Sequence, residues 1–485
     1  MVHSMINFFK NLIQKPEKIF LVFCLFWGII LAFVNPPFQN FDEPEHFFKI
    51  YAFSDGTLNF KRITSYTDGT FYFDKPKTFT AQVIPISIVQ LVVQSKRMNP
   101  YFDENKMYNE GTKTSVKEII NSSNIQLDKH LKTIIIHPIP SYTIFSYFLS
   151  VCVMFLLKIC NTNPLYMMYL MRLCSLFLYT GLIYYAIKIT PVKKSMFLVL
   201  ALMPSALYLA GAINTDYMII GLSFLFLAYC LKLAFSSEVE KISKRQFLKL
   251  SICAILISIS KFVYTPLILL FLIIPKEKFD SQKQRMLYFL SLLVISFLTI
   301  SCFLYFNLKI FENTFSYYST NSHIEMLTNL FHNPLSFLAL LTKTILFYGT
   351  IYLKNSISDF GFSDTNVPSL IIYFYLILIG LVSIEGEKEE YNIDIRKKSL
   401  FLFIFVFSLF LIFTANYLNF ALEPTGMISG FKGRYLLPVY PLLFLSLYNT
   451  KLYFKKFKPI WITLFYLLFF LVIFIFAIIF RYYTF

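Results

Sequence analysis

The sequence predicts an all-α membrane protein that crosses the bilayer many times. Of its 485 residues, 57% are hydrophobic and only 15% are charged, whereas soluble domains carry about 25% charged residues. The hydrophobic residues form runs close to the roughly 20 residues that a helix needs to span hydrocarbon. Examples of such runs are Ile19–Val34, Met286–Phe306, Leu400–Ala415 and Ile460–Ile479.

The amino-terminal segment is basic and leads into the first hydrophobic run, which resembles a secretory signal. No small-residue cleavage site follows that run, because the next residues are Asn35-Pro36-Pro37. We therefore predict an uncleaved signal anchor with a cytoplasmic amino terminus. The net charge is +17, but the positive residues lie in short segments between hydrophobic runs. That pattern is typical of topology signals and argues against nucleic-acid binding.

The distribution of Lys and Arg also predicts which hydrophobic runs cross the membrane, because cytoplasmic segments are enriched in positive residues. If His137–Cys160 crossed, three later basic segments (188–194, 241–245 and 276–285) would face outward. The same reasoning applies to Leu335–Leu353, which Lys343 interrupts. We therefore predict that both segments are interfacial or re-entrant helices that do not cross.

About eleven spans remain, with the carboxyl terminus outside. They are predicted at approximately 19–35, 166–189, 195–211, 216–235, 247–260, 262–275, 286–307, 367–384, 399–418, 434–449 and 459–480. The predicted organisation is a cytoplasmic amino terminus with its anchor helix (1–35), a first external loop with interfacial helices (36–165), a transmembrane core (166–450), and a cytoplasmic loop with the last helix (451–485).

The densest polar cluster opens the first external loop, where Asp42, Glu43, Glu45 and His46 lie within five residues. Such a group could supply a general base or bind a cation. A structural alternative is a capping box formed by Asp42 and Glu45. A helix over 42–54 would then present Phe47, Ile50, Tyr51 and Phe53 to the membrane surface.

Three further segments carry candidate residues at the predicted external face. Asp216 follows Asn214-Thr215, and either Asn214 or Asp216 could simply cap the helix over 216–235. Lys261 separates two short hydrophobic runs, where it either extends to the interface or meets an anion such as a lipid phosphate. Arg434 begins a span from the outside, against the charge bias, and is either an interfacial anchor or a phosphate ligand. His137 precedes Pro138 and could begin a helix or face the site.

Five features resemble, in chain order, those of the GT-C superfamily of polytopic glycosyltransferases. They are the acidic motif after the first span, the His137-Pro138 segment, Arg172 near the start of the next span, Asp216 after the following hairpin, and the pair of short runs divided by Lys261. More closely, the chain resembles a bacterial domain-of-unknown-function family placed in that superfamily. The resemblance extends over about residues 18 to 450 and rests on short motifs, namely Asp42-Glu43-x-x-His46, Ser260-Lys261-x-x-Tyr264, Phe360-Gly361-x-x-Asp364-Thr365 and Gly433-Arg434-Tyr435-x-x-Pro438.

The resemblance implies transfer of a sugar from a polyprenyl-phosphate donor to a glycan or glycolipid acceptor. Asp42, with Glu43 as second candidate, would serve as the base toward the acceptor or bind a metal, and Asp216 would assist it. Lys261, Arg434 and Tyr435 would hold the donor phosphate, with His46, His137 and Tyr264 as further site residues. A divalent metal is left open. The alternatives are a lipid-linked sugar transporter or flippase, a polysaccharide polymerase or ligase, and a structural scaffold.

Overall fold

A computed structural model describes residues 15–57, 61–67, 72–96, 113–137, 144–311, 323–365, 367–386, 391, 393–419, 426–454 and 458–484. Its α-helices in chain order are α1 (Pro16–Val34), α2 (Glu43–Ser54), α3 (Ile86–Lys96), α4 (Val116–Asn121), α5 (Phe148–Ile159), α6 (Pro164–Ile189), α7 (Lys194–Ala201), α8 (Pro204–Ala210), α9 (Asp216–Phe235), α10 (Lys244–Ser260), α11 (Gln282–Phe311), α12 (His323–His332), α13 (Pro334–Asn355), α14 (Ser369–Ile384), α15 (Ile395–Asn419), α16 (Tyr440–Ser446) and α17 (Pro459–Tyr482). Short 3₁₀ helices cover Ser122–Asn124, Ile144–Tyr147, Phe262–Ile273, Lys276–Lys278 and Gly433–Leu436.

Seven of these helices are long and apolar enough to cross a membrane: α1, α6, α9, α11 (over Gln282–Tyr305), α13, α15 (over Ile395–Leu418) and α17. Six of them coincide with predicted spans, which confirms a multi-pass helical protein. Of the other predicted spans, those at 247–260 and 367–384 are the shorter helices α10 and α14, whereas those at 195–211, 262–275 and 434–449 are broken. The one over 195–211 divides before Pro204, which cannot donate a helical hydrogen bond. The segment after Lys261 is a 3₁₀ helix with Pro266 inside it.

The first external loop contains an antiparallel sheet besides its helices, which the sequence did not predict. Strands β1 (Lys61–Thr67), β2 (Tyr72–Pro85) and β3 (Lys132–His137) pair in the order β1-β2-β3. All three strands contain Thr and Ile, and β1 and β2 also contain aromatic residues, which are residue types that fit a pleated surface. His137 therefore ends a strand opposite Thr80 and does not begin a helix.

A second hydrophobic core lies beyond the end of α1. Arg172 donates to carbonyl groups at the end of α1, so the nine residues from Pro164 to Arg172 project about 12 Å past that end. Helices α2, α3 and α5 pack around this projection through a cluster of buried side chains that includes Phe47, Ile50, Tyr51, Phe53, Ile88, Leu91, Tyr147, Met154, Met168 and Met171. The prediction that Phe47, Ile50, Tyr51 and Phe53 face the membrane surface was wrong, because all four are buried in this core.

The two segments predicted not to cross differ in length. Helix α5 has only 12 residues, or about 18 Å, and runs beside α2. Helix α13 is long enough to cross, but Phe337 and Tyr352, about 22 Å apart along it, contact the same part of α15. Phe337 packs on Phe410 and Tyr417, and Tyr352 packs on Phe413. By length and composition α13 is a candidate span, so its non-crossing stays a prediction.

The segments that connect the helices lie at two opposite ends of the helix bundle. At one end Lys193 donates to the carbonyl oxygens of Val382 and Glu385, and Phe235 packs on Tyr391. These are segments that the positive residues assign to the cytoplasm. At the opposite end, Tyr208 donates to the carbonyl of Gln39. The candidate site residues lie at this second end, whereas its external orientation stays a prediction.

Candidate functional site

Asp42 lies at the start of α2 in a conformation that leaves its carboxylate available. Its backbone is left-handed (φ +59°), and its side chain makes no capping hydrogen bond. The predicted capping box with Glu45 was therefore wrong. A left-handed non-glycine residue costs about 1–3 kcal/mol and is typical of functional sites. The side chain is 44% exposed, and its Oδ2 lies 3.7 Å from Arg434 Nη2.

Asp216 is brought together with two cations. The predicted helix cap is made by its neighbour Asn214, whose Oδ1 accepts the N–H groups of Asp216 and Tyr217. The carboxylate of Asp216 thus faces Lys261 Nζ at 2.5 Å and Arg434 Nε at 3.1 Å. All three side chains are nearly buried, with exposed fractions of 10%, 14% and 11% respectively. Lys261 therefore meets an anion within the protein and does not extend to the interface.

Two buried arginines behave differently. Arg172 has no exposed surface and is saturated by Glu43 and by the carbonyl oxygens of Ala32, Asn35 and Pro36. Arg434 forms ion pairs with Asp42 and Asp216, but none of its contacts within the described residues has regular hydrogen-bond geometry. A guanidinium group carries five donors that suit phosphate or carboxylate. Arg434 is thus the cation whose donors remain available for a ligand.

Aromatic rings border the two cations. Tyr435 lies 4.9 Å from Lys261 Nζ, and its carbonyl accepts the hydroxyl of Tyr264 at 2.8 Å. The ring centroid of Phe41 lies 5.6 Å from Arg434 Cζ. Tyr264 consequently fixes the segment that carries Arg434, and its own hydroxyl group is used by that bond. These contacts bring Tyr264 and Tyr435 together with the predicted cations.

Glu43 was predicted as a second catalytic carboxylate, and its geometry gives it a structural role. It has no exposed surface, and its two oxygens accept Arg172 Nε at 2.8 Å and Nη2 at 2.7 Å. The N–H of Ile213 donates to Oε1 at 3.0 Å. Glu43 therefore joins the end of α1, the start of α2 and the segment before Asp216.

His46 is buried where the second core meets the site, close enough for the charges of Asp216, Arg434 and Lys261 to act on it. Its Nδ1 is 2.5 Å from the hydroxyl of Tyr147, and burial, with Lys49 adding to it, lowers the pKa of His46 to about 3. The ring is therefore neutral at physiological pH and is not a donor of charge to the site. The side chain of His137 lies outside the described residues.

The depressed pKa of His46 predicts a loss of stability in acid. Unfolded His protonates near pH 6.5, while the native ring stays neutral, so stability falls by roughly 1 kcal/mol per pH unit as the pH decreases from 6.5 towards 3. The unfolding midpoint of purified protein between pH 7 and 4 measures this slope. A His46→Gln variant should have a flatter slope, and the exposed His130→Gln control should not. Equal slopes in all three would contradict the assignment.

Gly433 lets the Arg434 segment lie directly on the end of α13. A Cβ at this position would collide with backbone atoms of Tyr352, Asn355 and Ser356. We expect Gly433→Ala to move Arg434 and to destabilise the protein by about 1–3 kcal/mol through overpacking. Gly380→Ala is the matched control, because Gly380 lies in α14 with no atom within 4 Å of the added methyl group. It should be neutral or stabilising by up to about 1 kcal/mol, and similar losses for both variants would contradict the close approach.

The turn after α13 carries two buried carboxylates, Asp359 and Asp364, that were not among the predicted site residues. Asp364 accepts from Arg481 at 2.7 Å and from Tyr482 at 3.1 Å, which joins this turn to the end of α17. Asp359 lies five residues earlier and is also buried. The Phe360-Gly361-x-x-Asp364-Thr365 motif was the sequence signal for this turn. It did not reveal the partners of Asp364, because they lie more than 100 residues away in the chain.

The helix bundle with a charged site at one end defines a multi-pass membrane protein. Residues 25–443 match the family described as "Predicted membrane protein (DUF2142)", and the chain belongs to that family. The match includes the first external loop, the site and most of the long helices. No curated protein and no solved structure matches the chain. Membership in the GT-C superfamily stays a prediction.

Proposed function

We propose that the protein is a GT-C-type glycosyltransferase. It transfers a sugar from a polyprenyl-phosphate donor to a glycan or glycolipid acceptor at the external face of a bacterial cell membrane. The observation that carries the proposal is Arg434, a nearly buried guanidinium whose contacts within the described residues are ion pairs and not regular hydrogen bonds. A second cation, Lys261, lies on the same carboxylate.

The charges around Arg434 suit a phosphate group. Lys261 and Arg434 together carry two positive charges, and Asp216 and Asp42 supply two negative ones. When Asp42 takes up a proton from the acceptor, one positive charge is left beside the phosphate in a nearly buried site, where electrostatic interactions are stronger than in water. Held there, the donor phosphate would be a better leaving group, because the cations stabilise the charge that develops as its bond to sugar breaks.

Asp42 is the general base in this proposal. Its carboxylate accepts the proton of an acceptor hydroxyl, whose oxygen attacks the anomeric carbon of the donor sugar. The bond between that carbon and the phosphate oxygen breaks, and the polyprenyl phosphate leaves with the electron pair, so that the anomeric configuration inverts. Asp42 suits this role because its carboxylate is 44% exposed and close to Arg434. Glu43 has no part in it.

Replacing Asp42 tests the proposed base. We expect Asp42→Asn to lower the transfer of labelled sugar from polyprenyl phosphate in membranes by about 10²–10⁴-fold. The amount of protein in the membrane should be unchanged, because this carboxylate caps nothing.

The matched control is Asp394→Asn at the opposite end of the bundle, where the carboxylate is 43% exposed and also lies near a cation. This control should transfer sugar normally. Glycan profiles of a deletion strain complemented with each variant give the same comparison in cells. A normal profile with Asp42→Asn would exclude the catalytic role.

A further inference from the structure

The turn that follows α13 places a second buried carboxylate beside the site. Asp359 is 8% exposed. Its Oδ1 accepts the hydroxyl of Ser363 at 2.6 Å, while its Oδ2 is buried and has no hydrogen-bond partner among the described residues. Leaving such an oxygen unsatisfied costs about 1–3 kcal/mol, so a missing partner is expected.

Asp359 differs from its neighbour Asp364, which has a structural role. Both oxygens of Asp364 are used, by Arg481, by Tyr482 and by the N–H of Phe362. Asp359 keeps one oxygen without a partner on the same turn, and its charge acts on the cations Lys432 and Arg434. Oδ2 of Asp359 therefore lies close to the site and does not hold the turn in place.

An aromatic surface connects this turn to Arg434. Phe362 packs edge-on against Phe41 with ring centroids 5.3 Å apart. Lys432 Nζ lies 4.3 Å from the centroid of Phe41, and Arg434 Cζ lies 5.6 Å from it. Phe41 thus lies between the proposed phosphate-binding cation and the turn that carries Asp359.

We propose that Asp359, Phe41, Phe362 and Lys432 form a subsite for a sugar ring next to the phosphate, a proposal that rests on the function proposed above. Carboxylate and ammonium groups bind ring hydroxyls, and aromatic rings bury the apolar C–H face of a sugar. Oδ2 of Asp359 accepts a hydrogen bond from a hydroxyl group of the sugar and thereby gains the partner that it lacks. The subsite selects the sugar, since a buried polar group left unpaired discriminates strongly against ligands without the matching hydroxyl.

The test compares ligands with and without a sugar on the purified full-length protein. The probes are undecaprenyl phosphate and undecaprenyl phosphates that carry glucose, galactose or mannose, with affinities measured by native mass spectrometry. We expect the wild type to bind at least one sugar-bearing probe about tenfold more tightly than undecaprenyl phosphate, which corresponds to about 1.4 kcal/mol. Asp359→Asn and Phe41→Leu should reduce this preference to about threefold or less. The readout is the ratio of the two affinities within each variant, because Asp359 and Phe41 also act on Arg434 and can change the affinity for undecaprenyl phosphate itself. The Asp394→Asn control should keep the wild-type ratio.

The outcomes separate this subsite from the underlying function. A sugar preference that survives in both Asp359→Asn and Phe41→Leu overturns the subsite, as does a wild type that binds all probes equally. A wild type that binds none of the probes, or an Arg434→Ala variant that binds undecaprenyl phosphate normally, overturns the proposed function and the subsite with it. The two substitutions act on different elements, so a folding defect in one of them leaves the other as the test.

Discussion

Replacing Arg172 with Met should prevent the accumulation of folded protein. The side chain donates to both oxygens of Glu43 and to three backbone carbonyl groups at the end of α1, with no exposed surface. Removing one partner of a buried ion pair costs about 3–5 kcal/mol, because the other charge stays buried without a counter-charge. Total stability is usually only about 5–15 kcal/mol. The loss therefore affects a large part of it.

The yield of monodisperse protein after solubilisation, with the thermal midpoint of whatever is recovered, measures this effect. Arg245→Met is the matched control, because Arg245 is exposed at the opposite end of the bundle. A double variant, Arg172→Met with Glu43→Leu, should recover part of the yield, since it removes both buried charges. Normal yield of Arg172→Met alone would contradict the structural role assigned to the pair.

The long helices were the part of the fold that the sequence predicted well. Their hydrophobic runs are continuous, and the requirement to satisfy every backbone group in lipid leaves a helix as the simplest solution. The sheet in the first external loop escaped prediction because its pairing depends on distant partners. Val83 of β2 lies opposite Ile134 of β3, across 51 residues of chain (134 minus 83). The residue pattern within a single strand does not show which distant strand it pairs with.

The grouping of the site was predictable for a related reason. The positive-inside rule fixes the side of each loop, so it assigned Asp42, Asp216, Lys261 and Arg434 to one face. The structure brings the four side chains into contact. The rule says nothing about which carboxylate each cation meets. For that reason Glu43 was predicted to be catalytic, although both of its oxygens bind Arg172. Asp359 was not predicted as a site residue for the same reason.

Replacing Asp216 with Asn should destabilise the ligand-free protein and increase its response to phosphate. The substitution leaves Lys261 and Arg434 close together without the carboxylate that separates their charges. Loss of the anion from this nearly buried site costs about 3 kcal/mol. In the proposed function, a donor phosphate binds the same two cations and supplies the missing negative charge. A ligand that binds only the native state raises its stability in proportion to its affinity.

Thermal unfolding of wild type and Asp216→Asn with increasing undecaprenyl phosphate measures both effects. The variant should unfold at a lower temperature without ligand and gain a larger stabilisation from the ligand than the wild type does. Arg434→Ala should lose the stabilisation altogether, and Asp394→Asn should behave as the wild type. A smaller or equal ligand response in Asp216→Asn would mean that the carboxylate does not compete with phosphate. The cations would then serve the fold, in the way that Arg172 does with Glu43.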